Sequence, residues 1–140
     1  MRLEQALLRI NAVAFVAFGI AFIAAPQTLA ETILGVAPTA SSAMIDMRAT
    51  YGGFAFGAGV FFGLCATRAS WVRPGLIACA FSVGGIGAAR LVGIVVDGSP
   101  NGFMWLFLAF EVLFVALCAI AVRGSSSVAE RPASLRSPVA

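Results

Sequence analysis

Four long, nearly uninterrupted apolar runs decide what this chain can fold into. They extend from about Ala6 to Ala25, Ala43 to Ala66, Val72 to Val96 and Gly102 to Val122. Each approaches the roughly 20 residues that a helix needs to cross a bilayer. Water cannot be the solvent for such a chain. Of its 140 residues, 61% are hydrophobic and 11% charged, against roughly 45–50% and about 25% in soluble domains. A small barrel would need alternating segments of about ten residues, and these runs do not alternate. The expectation is an all-α integral membrane protein, a bundle of four transmembrane helices in one domain, 1–123. The stretch 124–140, "GSSSVAERPASLRSPVA", reads as a disordered cytoplasmic tail.

The punctuation between the runs agrees. Arg9 and Asn11 interrupt the first, which stops at Pro26, and "DGSPNG" (97–102) is a turn built of breakers after the third. Between the first two runs lies "PQTLAETILGVAP". Pro26 can open a helix there, Leu29, Ile33 and Leu34 recur at helical spacing, and Gly35 can close it. A short interfacial helix between helices 1 and 2 follows. Arg2 and Arg9 ahead of an apolar stretch imitate a signal peptide, but the run outlasts a usual signal core and reads as a span.

Charge sets orientation. Arg2, Arg9, Arg68, Arg73, Arg123, Arg131 and Arg136 fall on one side of a four-pass arrangement, and the loops on the other side hold no Arg or Lys. By the positive-inside rule both termini are cytoplasmic. The net charge of +3 comes from scattered arginines, so it is a topology signal and no nucleic-acid patch.

Several chemistries drop out. The chain has no histidine, and Cys65, Cys79 and Cys118 form no CxxC, which removes His-ligated haem, His/Cys zinc and His-based triads. The cysteines read as small hydrophobes, and Met44, Met47 and Met104 as apolar filling rather than soft metal ligands. No metal, no cofactor and no enzymatic activity are expected.

What remains is a layer of charge inside the spans. Counting about 1.5 Å per residue from the outer edge puts Arg48, Arg90, Tyr51 and Glu111 at depths of about 8, 10, 12 and 13 Å. Asp46 and Asp97 lie near the outer ends of their helices. At 100° per residue, Arg48, Tyr51, Gly52, Ala55 and Gly59 share one side of the second helix, and Arg90 and Asp97 share one side of the third. Two arginines therefore meet two carboxylates, Asp97 and Glu111, and the layer is neutral. Below it, Gly52, Gly53, Gly57, Gly59 and Gly63 let a neighbouring backbone approach, and "GGIGAA" (84–89, with Gly84 and Gly87) offers the matching surface of a glycine seam. Phe103 and Phe107 read as interchangeable apolar filling.

Such a layer has three readings. It can be a satisfied ion-pair network that fixes helix register. It can present arginines, flanked by Tyr51 and phenylalanines, to an anionic or lipid-like ligand. Or Glu111 can carry protons in a small dimeric exporter, a role that suits a carboxylate poorly when arginine holds it.

The motifs "DMRATYGGFAFGAGVFF", "AARLVGIVVDGSP" and "FLAFEVL" resemble a family of small bacterial inner-membrane proteins grouped as a domain of unknown function. The resemblance runs from about Leu3 to Val122. It rests on Asp46, Arg48, Tyr51, Gly52 and Gly53, on Arg90 with Asp97, Gly98 and Pro100, and on Glu111 in the last helix. It implies a four-helix bundle and supplies no activity. The residues then suggest an accessory or scaffold subunit in the lipid bilayer, with a membrane-protein partner or a second copy of itself.

Overall fold

A computed structural model describes residues 3–36 and 38–129 of the chain. Helices α1 (Leu3–Ala24), α2 (Pro26–Leu34) and α3 (Ser41–Met47) come first, and α3 runs through a π-helical turn, Arg48–Gly53, into α4 (Phe54–Thr67). Helices α5 (Ala69–Asp97) and α6 (Gly102–Ala129) complete the chain, and no strand occurs among the described residues. Four spans are long and apolar enough to cross a membrane: Leu3–Ala24, Ser41–Thr67, Ala69–Asp97 and Gly102–Arg123. Helical backbone runs on to Ala129, past the start of the expected tail, whose remainder (130–140) lies outside the described residues.

Local chemistry sets the boundaries. Pro26 starts α2, where a missing N–H costs nothing, and Gly35 ends it with φ 81° while its N–H bonds to Glu31 O. Only Arg68, in extended conformation, separates α4 from α5, and its guanidinium lies 4.7 Å from the Trp71 ring. The loop after α5 reverses through Gly98 (φ 66°) and Ser99 (φ 44°). Asn101 then starts α6, its Oδ1 accepting the Met104 N–H at 3.2 Å. Its Nδ2 donates to Ile33 O at 2.8 Å, which pins α2 to the head of α6.

Helix α1 packs against α4, α5 and α6, while α5 lies chiefly along α6. The main core gathers where α1 begins and α6 ends, around Leu8, Phe62, Cys65, Leu76, Cys79 and Cys118. Asn11, the buried polar side chain of this region, donates to Cys79 Sγ. Toward the other end the two hairpins share less: no residue of α5 after Gly87, and none of α6 before Cys118, is buried. The outward surfaces are apolar, as lipid contact requires, with Phe81 79% and Val95 76% exposed.

The glycine seam exists, but its partner differs from the expected one. Gly52 and Gly59 face α1, not the third span: a Cβ at Gly59 would lie 2.7 Å from Val16 N, and one at Gly52 would lie 3.0 Å from Ile23 N. Gly53 and Gly57 point away from this contact, Gly57 having nothing within 4 Å of a modest added side chain. Gly84 and Gly87 instead face α6, near Val115 and Glu111. The small residues therefore build two separate close approaches, one in each hairpin.

Candidate functional site

The α5–α6 hairpin brings Arg90 and Glu111 together. They stand on antiparallel neighbours at similar distances from the connecting loop, so side chains of this length meet across the interface. Arg90 Nε donates to both Glu111 oxygens at 3.1 Å, and Nη2 donates to Oε1 at 2.8 Å. The remaining nitrogen, Nη1, lies 3.2 Å from Met104 Sδ, and the guanidinium carbon is 5.2 Å from the centre of the Phe107 ring. The side chains keep 18% and 12% of their exposure. Gly87, one turn before Arg90, makes the room: a Cβ there would sit 3.2 Å from Glu111 Cβ and 3.3 Å from Oε2. One charge pair is thus closed by a forked hydrogen bond, a thioether and an aromatic face, all supplied by α6.

Arg48 does not join this pair. Its Nη1 donates to Ile23 O, with Ala24 O at 3.4 Å, so it caps the C-terminal carbonyls of α1. Those carbonyls have no partner within their own helix, and the negative end of the helix dipole favours a cation there. Tyr51 stacks on Phe22 of the same helix, ring centres 5.3 Å apart and planes 24° from parallel, with 45% of the residue exposed. Asp97 stays exposed at the end of α5, its Oδ2 beside Gly93 of its own helix. The layer expected from depth counting therefore resolves into two units. One is the Arg90–Glu111 pair; the other is a clamp of Arg48 and Tyr51 on α1.

The clamp coincides with the π turn. Arg48–Gly53 is "RATYGG", the centre of the motif that opens the second span, and Thr50 Oγ1 bonds to Asp46 O at 2.7 Å at its start. Such turns occur mostly inside α-helices and often at functional sites. Sequence reasoning missed the π turn, and missed Met104, Phe107 and Phe22 as partners of the charged and aromatic groups. One signal for the clamp was available: α1 stops just before Pro26 with its last carbonyls open, and an arginine near the start of the next span can answer them.

A bundle of four membrane-length helices, two of them joined by the Arg90–Glu111 ion pair, defines a multi-pass membrane protein. The chain belongs to the family described as Domain of unknown function (DUF4345), whose profile matches residues 3–122 and so takes in all four spans up to the end of the last. No curated protein and no solved structure matches it.

Proposed function

We propose that this protein is a non-catalytic accessory or scaffold subunit of the bacterial inner membrane, with both termini in the cytoplasm. One observation carries the reading: Glu111 takes two guanidinium nitrogens of Arg90 while the third rests on Met104 Sδ. A proton carrier must release its partner in each cycle, and here release would leave a guanidinium uncompensated between two helices, at a cost of several kcal/mol. A closed pair instead fixes the register of α5 on α6. Arg48 and Tyr51 form the ligand-facing edge of the same reading. Both are exposed at the outer end of the second span, where a guanidinium and a phenol suit an anionic or lipid-like head group.

The competing reading is a small proton-coupled dimeric exporter working through Glu111. Reconstitution separates the two. Proteoliposomes carrying the wild-type chain should take up no more protons, under an imposed pH gradient, than empty vesicles do. Extraction in a mild detergent should release the chain together with a second membrane protein in fixed ratio. Proton uptake that disappears in Glu111→Gln, from a chain that runs as a homodimer, would overturn the proposal.

A further inference from the structure

Where α1 begins and α6 ends, helices α5 and α6 leave a groove of about 260 Å³ on the outer surface of the bundle. Ile77 and Phe81 of α5 and Val115, Ala119 and Val122 of α6 line it, and Arg123 stands at its end. From Val115 to Arg123 the groove follows α6 for about 12 Å, at the helical rise of about 1.5 Å per residue. It opens to the lipid rather than into the bundle: Phe81 is 79% exposed and Ile77 39%. The Arg90–Glu111 pair lies further along the same two helices and contributes nothing to it.

The lining calls for an apolar chain, which any lipid offers. The end of the groove is more selective. Arg123 is the last residue of the fourth span, so its exposed guanidinium lies at the membrane boundary. The same end of the bundle carries Arg9, Arg68, Arg73 and Arg123 against Glu4 among the described residues. The phosphodiester of any phospholipid can accept a charge-assisted hydrogen bond from Arg123, but in a zwitterionic head group the attached ammonium cancels the attraction of the surrounding arginines, whereas a head group of net negative charge keeps both the bond and the local field. We infer that this groove holds one anionic phospholipid of the adjoining leaflet, an acyl chain along the α5–α6 seam and the head-group phosphate on Arg123. The site is independent of the Arg48–Tyr51 edge, on the opposite side of the membrane.

Native mass spectrometry of the full chain, released from nanodiscs of equimolar phosphatidylglycerol and phosphatidylethanolamine, tests this. The wild type should retain phosphatidylglycerol over phosphatidylethanolamine about fivefold, the factor that one arginine near a membrane surface supplies. Arg123→Gln should bring the ratio close to one, and Arg123→Lys should preserve most of it. Ala119→Phe fills the groove and should retain neither lipid; a melt in the same detergent reports whether it folds, and the Arg123 variants, altered at an exposed position, decide the matter if it does not. Equal retention of both lipids by the wild type would overturn the assignment. So would an unchanged preference in Arg123→Gln, or an equal loss in Arg68→Gln, which removes a surface arginine on the same side outside the groove.

Discussion

Replacing Glu111 by Gln keeps the shape of the side chain and removes its charge, so it probes the ion pair with little change in packing. Arg90 would remain, its guanidinium between α5 and α6 with Met104 Sδ at 3.2 Å and the Phe107 ring at 5.2 Å as the other near groups. With the charge centres about 4 Å apart and an effective dielectric of about 20, the lost attraction is about 4 kcal/mol. Breaking one side of a buried pair costs about 3–5 kcal/mol in general, and the residual exposure of 18% and 12% places this pair toward the lower end. Equilibrium unfolding in mixed micelles, followed through Trp71 and Trp105 fluorescence, should show Glu111→Gln destabilised by about 3 kcal/mol, and Arg90→Gln similarly. The double variant should recover part of the summed loss, because neither charge is then left alone. A Glu111→Gln protein within about 0.5 kcal/mol of wild type, combined with rapid carbodiimide modification of Glu111 near neutral pH, would refute the reasoning, since surface-like substitutions lie in that range.

Gly59→Ala should lose about 1–3 kcal/mol in the same assay, because its Cβ would meet the backbone of α1 at 2.7 Å and the helices must part to admit it. Gly57→Ala, with open space around the added methyl, should be neutral or stabilise by up to about 1 kcal/mol through helix propensity. Asn101→Ala removes both the α6 cap and the bond to Ile33 O, and should cost about 1 kcal/mol while raising amide exchange along α2. For orientation, Thr28→Cys, Ser99→Cys and Ser126→Cys in a cysteine-free background should divide under an impermeant maleimide on whole cells. The first two should label and the third should not; the reverse pattern would invert the topology.

Most of the architecture was legible because hydropathy and breaker residues report directly on spans and turns. Pro26 and Gly35 marked α2 for the same reason. The Arg90–Glu111 contact was legible by counting, since a tight turn between antiparallel helices equalises depth on its two sides. The inward face of the second span was legible too: Arg48, Tyr51, Gly52 and Gly59 do share a side, and all of them meet α1. The neighbour itself was not. Periodicity tells which side of a helix packs but not against what, and α1 offers only Gly19 and Ala12 opposite the seam, a thinner signal than the "GGIGAA" of α5. Arg48 was assigned to the charge layer because depth counting treats carboxylates as the natural partners of an arginine. The open carbonyls at a helix end serve as well, and they leave no mark in a list of charged residues.

The π turn at Arg48–Gly53 has a consequence for how the chain tolerates changes of length. Geometrically it is an α-helix with one residue inserted and the surplus taken up within a single wide turn. Deleting one residue there, Ala49 for instance, would let the ladder close as ordinary α-helix, with α3 and α4 keeping their relative azimuth and Gly59 still aimed at α1. The residues displaced would be Arg48 and Tyr51 themselves. A single deletion in α5 between Gly87 and Asp97 has no slack to absorb it: one side of the break would swing by about 100° relative to the other, carrying Arg90 away from Glu111 or the loop away from Asn101's grip on α2. Removal of Ala49 should therefore leave the fold intact while abolishing the Arg48–Tyr51 clamp, whereas a one-residue deletion in the third span should lower folded yield.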